Sequence, residues 1–309
     1  MMNYYIGMDA GGTGTSVLVS DGRKDLFQTK TEGLNCNSFP RERIVRSLRN
    51  AMADLASNGF SPADCLGIGI GAAGNNNPAA AELLRDCLAN CGFHCQVTIC
   101  SDADAALYGA FEEEDGLLLI SGTGSICLGQ TDAGRKRYRA GGFGHLIDDE
   151  GSAYAIGRDI AAAVVRAEDG RGPETVLRDI LFSHLGISDS SELVAYVYDM
   201  SHTKKEIAQL ARLISLPETD TDQAVRQIIA KAAAALLEMA AAVCRQMESR
   251  CGEAEIPLVL HGSVLRNNQR IAGELTKALA AGLPRIRLTE ARTDASHGAV
   301  WLARRNERG

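Results

Sequence analysis

Tyr4-Tyr5-Ile6-Gly7-Met8 running into Asp9-Ala10-Gly11-Gly12-Thr13-Gly14-Thr15 decides the fold, because the chain repeats the pattern: Leu117-Leu118-Leu119-Ile120 leads into Ser121-Gly122-Thr123-Gly124-Ser125. Each is an apolar strand entering a small glycine-threonine turn. Glycine lets backbone N–H groups close on an anion, and a nearby hydroxyl adds a donor without bulk, so such turns suit phosphate. A single turn of this composition also serves an ordinary hairpin. Two in equivalent places point to a duplicated chain built to hold phosphate.

The elements around the two turns agree. Strand Tyr4 to Met8 is followed by Val17 to Ser20, an Asp21-Gly22 turn, and Leu26 to Lys30. Pro40 opens a helix with Ile44, Val45, Leu48, Met52 and Leu55 on one face, ended by Asn58-Gly59. Strand Cys65 to Gly71, a helix opened by Pro78, strand Gln96 to Cys100 and a helix from Asp104 to Phe111 complete a β-β-β-α-β-α-β-α order. The second half begins again with Leu117 to Ile120, Ser125 to Gly129 and Arg137 to Ala140. A helix from near Glu150 to about Ala167 follows. Residues 172–215 read as several short helices and Thr221 to Arg250 as one long one. Strand Ile256 to His261, helix Asn267 to Ala281, strand Arg285 to Leu288 and helix Asp294 to Arg304 then close the unit. With the helical insertion removed, both halves share one order, which predicts two similar α/β domains facing each other across a cleft. The expected boundaries are residues 1–115, with helix 294–309 as a candidate completion, and residues 116–293, with the insertion at about 172–215.

Composition limits the partners. The 309 residues are 45% hydrophobic, enough for two cores, and carry a net charge of −7. The longest basic run is Arg135-Lys136-Arg137, so nucleic acid is not an expected partner. No apolar run reaches the roughly 20 residues that span a bilayer, and the chain starts without a signal-peptide pattern, so no membrane partner is expected. Nine irregularly spaced cysteines predict reduced thiols in a cytoplasm. Cys87, Cys91, Cys95 and Cys100 lack metal-site spacing and read as small apolar side chains.

Among residues able to carry chemistry, Asp9 stands at the mouth of the first turn, where a water-bridged metal would offset phosphate charge; an Asx-turn is the plainer role. Asp102 ends an inner strand, where a carboxylate can accept the proton of an attacking hydroxyl. Asp104 is the expected helix N-cap. His145, Asp148, Asp149, Glu150 and Tyr154 cluster after a glycine loop, as substrate contacts through Asp149 or simply as an acidic helix start. His261-Gly262-Ser263 ends a strand, with Ser263 as the expected cap and Gly262 permitting close approach of a ring or ribose. His297 has no evident partner. The Walker spacing, the G-x-S-x-G elbow and the dinucleotide fingerprint after the first strand are all absent.

These features together resemble the actin, Hsp70 and sugar kinase superfamily, whose fold is a pair of ribonuclease H-like domains around a central cleft. Within it, Gly141-Gly142-Phe143-Gly144-His145 and Asp149-Glu150-Gly151-Ser152-Ala153-Tyr154 resemble the G-G-W-G-H and D-E-G-S-A-Y segments of the N-acetylglucosamine kinase and BadF/BadG/BcrA/BcrD ATPase family. Leu119 to Ser125 and Gly262-Ser263-Val264 match as well. The resemblance implies an ATP- and Mg²⁺-dependent kinase of an amino sugar, acting on O6, with a homodimer as the assembly to consider. It implies Asp102 as base, also touching substrate, and Asp9 holding Mg²⁺ through water. Asp9, Gly11, Gly12, Thr13, Gly14, Thr15, Gly122, Thr123, Gly262, Ser263 and Arg266 would bind nucleotide, and Asn37, Ser125, Gly142, Phe143 and Asp149 would line the sugar. Gly14 replaces a frequent Lys or Arg, Phe143 and Ala155 stand where Trp is common, and Asp148 replaces a Gly, which leaves the amino sugar open between N-acetylglucosamine, glucosamine and others. Two other functions fit the scaffold: an ATPase activator of radical dehydratases, which needs cysteines at a subunit face, and a non-catalytic sugar sensor.

Overall fold

The computed structural model describes residues 3–11, 14–34, 39–72, 78–251 and 254–307. The chain divides into two compact units: Met1–Glu114 with Asp132–Gly134 and Glu290–Gly309, and Asp115–Thr131 with Arg135–Thr289.

The first unit holds β1 (Tyr4–Ala10), β2 (Gly14–Ser20), β3 (Asp25–Glu32), α1 (Arg41–Ser57), β4 (Cys65–Ala72), α2 (Pro78–Asn90), β5 (Gln96–Cys100) and α3 (Asp102–Phe111). The second holds β6 (Gly116–Ser121), β7 (Ser125–Thr131), β8 (Lys136–Gly141), α4 (Ala153–Glu168), α5 (Leu177–Leu185), α6 (Ser190–Tyr198), α7 (Lys204–Gln209) and α8 (Gln223–Cys251). It continues through β9 (Ile256–His261), α9 (Ser263–Asn267), α10 (Gln269–Gly282) and β10 (Ile286–Thr289), after which α11 (Ala295–Glu307) belongs to the first unit.

The sheet orders are β3-β2-β1-β4-β5 and, read in the matching direction, β8-β7-β6-β9-β10. In both, the first strand pairs antiparallel with the second and parallel with the fourth. The α/β duplication expected from the paired turns is therefore present strand for strand.

Side-chain alternation along β1 sorts the first unit into two layers. Ile6, Met8 and Ala10 share one face with Val17 and Val19 of β2, and pack against Ile44, Leu48 and Leu55 of α1 and Leu84 and Leu88 of α2. The opposite face carries Tyr5, Gly7 and Asp9, and α3 and α11 lie there. The approach of α11 is close enough to require glycine, since a Cβ on Gly69 of β4 would fall on the Ala299 carbonyl. The two helices meet equally closely, a Cβ on Gly298 falling on the Ala105 carbonyl, and the rings of Tyr108 and Trp301 stack at 4.7 Å.

In the second unit, Leu117, Leu119 and Cys127 of the sheet, Ile156, Ile160 and Val164 of α4, and Val225, Ile229, Leu236, Ala240 and Val243 of α8 form one core. Among the described residues, Gln223–Met247 of α8 is one helix long and apolar enough to cross a membrane. Its apolar stripe is packed into that core. Between α4 and α8, the chain makes the three short helices α5 to α7, the last opened by a capping box between Thr203 and Glu206.

Candidate active site

In the first unit, β1 delivers Asp9 to its carboxyl end, opposite Ser16 of β2 and Gly71 of β4. Burial, reinforced by the negative charges of Asp102 and Asp294, pushes Asp9 up to about 6. Three carboxylates thus gather at one end of the sheet, on the face occupied by α3 and α11.

Asp102 is the first residue of α3, and its Oδ1 accepts a hydrogen bond from the Ala103 N–H at 2.9 Å. The cap of this helix is Ser101, not Asp104. The Ser101 hydroxyl accepts from the Asp104 N–H at 3.0 Å and donates to the Asp104 carboxylate at 2.7 Å, a reciprocal pair that fixes the first turn. Freed from capping, Asp102 sits in the first turn of the helix.

Asp294 caps α11, its Oδ1 accepting from Ser296 N at 3.0 Å, Ser296 Oγ at 2.6 Å, and His297 N at 3.1 Å. The ring of His297 bridges Asp294, at 2.8 Å from Nδ1, and Asp25 of β3, at 3.1 Å from Nε2. Burial opposes charge on both residues, but their hydrogen bonds outweigh it: Asp294 is held below the usual carboxylate range and His297 above the usual imidazole value. Sequence reading left His297 without a role because Asp25 lies 272 residues away. Asp294-Ala295-Ser296-His297, an acid followed by donors two and three residues on, is the local signal of the cap.

The first turn is only partly described. The Gly11 N–H donates to the Gly14 carbonyl at 3.1 Å, closing it, while Gly12, Thr13 and Asn37 lie outside the described residues. Thr15 pairs with Ala10 and shares the α1 and α2 face with Val17. Its hydroxyl is buried, has no hydrogen-bond partner among the described residues, and is on the opposite side of the sheet from Asp9.

In the second unit, β6 and β7 bracket Ser121-Gly122-Thr123-Gly124-Ser125, and the Gly122 N–H donates to the Gly124 carbonyl at 2.9 Å. The segment 149–154 wraps this turn. Ser121 Oγ donates to the Gly151 carbonyl and Ser125 Oγ to the Glu150 carbonyl, both at 2.7 Å. The N–H groups of Ala153 and Tyr154 donate to the carbonyls of Gly122 and Thr123 at 2.8 and 3.4 Å.

Asp149 is the buried centre of this wrap. Its φ of 65° is left-handed, unusual for a residue other than glycine, and its carboxylate lies beneath Gly124 and accepts from the Ser125 N–H at 3.4 Å. Burial raises its pKa, with the Ser125 hydrogen bond and the charge of Lys204 pulling the other way. A left-handed backbone that buries an acid under a phosphate-type turn is costly to keep.

Gly262 enters the same patch from β9. It has a φ of 98°, and a Cβ there would strike the Ser121 backbone. It is also the N-cap position of α9, so Ser263 is the first helical residue rather than the cap, and Arg266 lies one turn on. Gly122, Thr123, Ser125, Asp149, Gly262 and Ser263 are thus brought together within one unit.

The loop after β8 carries Gly142 and Phe143. Phe143 is 65% exposed, and Asp148 accepts the hydrogen bond of its N–H at 3.1 Å. His145 and Tyr154 form an edge-on ring pair 4.6 Å apart. No group of three or more His, Cys, Asp or Glu among the described residues is arranged to hold a metal by itself. The Asp9 carboxylate offers hard oxygen in a region crowded with negative charge, the setting that suits Mg²⁺ held largely through water.

Comparison with known proteins fits this geometry. The chain is 32% identical to the N-acetylmuramic acid/N-acetylglucosamine kinase of Clostridium acetobutylicum, covering 98% of this chain and 99% of that one. It is 27% identical to the N-acetyl-D-glucosamine kinase of Dictyostelium discoideum, with 97% of each chain covered. Among solved structures, a Chromobacterium violaceum protein provisionally named an N-acetylglucosamine kinase superposes with a TM-score of 0.76 at 21% identity, covering 97% of this chain and 99% of that one. The ROK hexokinase of Thermus thermophilus superposes at 0.57 with 16% identity, covering 99% and 100%. These two structures share the fold. The residues from Ile6 to Ala303, which include both glycine turns, the Asp102 strand end and the Asp149 wrap, match a single family over that whole span, and the chain belongs to the BadF/BadG/BcrA/BcrD ATPase family.

Proposed function

We propose that this chain is an ATP-dependent kinase of an amino sugar that transfers the γ-phosphoryl group to the sugar's primary hydroxyl, O6. Sugar phosphorylation is the activity named for full-length relatives at 32% and 27% identity. The observation that carries the reading is the placement of Asp102 on the first turn of α3 beside Asp9 at the end of the sheet. Asp102 accepts the proton of the attacking hydroxyl while the glycine turns offer N–H groups to phosphate oxygens. Asp9 would hold Mg²⁺ through water, and the ion would there supply neutralisation of charge on the transferring phosphate. The proposed nucleotide contacts are Gly11, Gly12, Thr13 and Gly14 of the first turn in the first unit, and Gly122, Thr123, Gly262, Ser263 and Arg266 in the second. Thr15 contributes by closing the first hairpin rather than through its buried hydroxyl.

The acceptor is read by Asn37, Ser125, Gly142, Phe143 and Asp149. A pocket tuned to sugar hydroxyls rejects analogues that lack them, because its own buried groups are left unpaired. The activator reading is not favoured, since Cys127, the cysteine beside the second turn, is wholly buried in β7 and cannot present a thiolate at a subunit face.

Coupled ADP release against N-acetylglucosamine, glucosamine, N-acetylmuramic acid and glucose tests the proposal, with ³¹P NMR of the product locating the phosphate. At least one amino sugar should raise ADP release well above the basal rate and yield the 6-phosphate. If none does, the chain is not an amino-sugar kinase.

A further inference from the structure

The acceptor loop is rich in glycine, and its internal hydrogen bonds, from Ile147 and Asp148 to the Gly144 carbonyl and from Phe143 to Asp148, leave the carbonyls of Gly141 and Gly142 to other partners. Gly141, Gly142 and Gly144 all take left-handed backbone, with φ of 78°, 77° and 97°, and glycine has the most conformational freedom to lose. Leu146 and Ile147 further along the loop are 85% and 82% exposed, so apolar packing does not anchor it either.

One side chain spans the weak point. Arg139 of β8 donates from Nε to the Gly141 carbonyl at 2.9 Å and from Nη2 to the Gly142 carbonyl at 2.6 Å. The same guanidinium lies 4.5 Å from the centre of the Phe143 ring, against its face. Gly142 leaves the room this needs, since a Cβ there would sit 3.1 Å from Nη2. The strand beneath is tied in turn, Gln246 of α8 donating to the Arg139 carbonyl at 3.2 Å. Among the described residues, Arg139 has no carboxylate partner. Its planar fork serves two successive carbonyls and a ring, a pattern that the point charge of lysine cannot reproduce.

From this bracket we infer that Arg139 is a positioning residue for the acceptor: it fixes the backbone of Gly141 and Gly142 and the tilt of Phe143, and so sets the affinity for the sugar without touching it. The inference rests on the proposed sugar-kinase function for its link to the acceptor, while the bracket itself can be read without any sugar.

Arg139 is exposed, so its replacement should leave folding intact. In the full-length protein, Arg139→Ala and Arg139→Lys should each raise the acceptor KM by about tenfold with the ATP KM changed by less than about twofold, because small misplacements of substrate-positioning groups are costly. Guanidinium ion at millimolar concentration should partly restore the acceptor KM of Arg139→Ala and leave that of Arg139→Lys unchanged. Amide hydrogen exchange should quicken in residues 141–149 of Arg139→Ala and nowhere else. An unchanged acceptor KM with unchanged exchange overturns the inference, as does an equal rise in both KM values with a lowered Tm. If the unaltered protein turns over no amino sugar, the kinase proposal fails separately. The exchange measurement then decides the bracket, and unchanged exchange refutes it.

Discussion

Asp9 shows at the scale of one residue how function sets itself against stability. Its folded pKa of about 6 lies above the usual carboxylate range, first through burial and then through Asp102 and Asp294. A raised carboxylate pKa means that the fold disfavours the charged form: there is no penalty below about pH 4, it grows through the interval up to 6, and it is complete above that. Asp9→Asn should therefore stabilise the protein by about 3 kcal/mol at pH 8 and by almost nothing at pH 3.5. Thermal unfolding at the two pH values checks this, and phosphoryl transfer should fall in the same variant. Asp9 and Asp102 were both legible in the sequence because each follows a strand, but only β1 is an inner one: β5, expected as an inner strand, is the edge of its sheet, since a short strand's place in the order depends on partners far away in the chain. Which face Thr15 takes was not legible, since that depends on β2 beginning at Gly14 and pairing Thr15 with Ala10. The choice of Ser101 over Asp104 as cap was likewise beyond the sequence, because either side chain can accept from an N-terminal amide.

Among the elements, close helix approach on the Asp9 face is what positions the carboxylates. α11 lies against β1 and β4 only because Gly7 and Gly69 present bare backbone, and α3 meets α11 through Gly109 and Gly298. Substituting Ala at Gly69 would drive a methyl group into the Ala299 carbonyl, a rigid backbone atom that cannot rotate away. We expect Gly69→Ala to cost at least about 3 kcal/mol, the upper range for overpacking, by urea unfolding. An equal substitution at Gly273 of α10, where an added Cβ would meet nothing within 4 Å, should cost nothing measurable or stabilise slightly. Most elements themselves were readable from periodicity and punctuation: Pro40 and Pro78 stand at or before the first residues of α1 and α2, and Gly186 ends α5. What periodicity cannot supply is contact between elements far apart in the chain. The pairing of His297 with Asp25 and the tight packing of α11 on β4 are of that kind.

Taken as a whole, the molecule is one fold written twice, and the second copy is the more elaborate. Both sheets have the same order and the same pairing directions, yet among the described residues only the second copy carries a wrap such as 149–154, with the buried, left-handed Asp149 at its centre. The duplication was visible in the sequence because both glycine turns follow apolar strands of matching order. The wrap was visible only as a family motif, since its hydrogen bonds to Ser121, Gly122, Thr123 and Ser125 join segments about 30 residues apart. The claim that unites these features is that Asp102 removes the proton of a sugar hydroxyl as phosphate is transferred. Its most direct test is single-turnover transfer of the γ-phosphoryl group of ATP to the best amino-sugar acceptor, comparing the unaltered protein with Asp102→Asn while calorimetry measures sugar and ATP binding to each. The account predicts a transfer rate lower by roughly 10²-fold or more with both affinities largely kept, as expected for loss of a general base. Transfer at a near-normal rate by Asp102→Asn would contradict it.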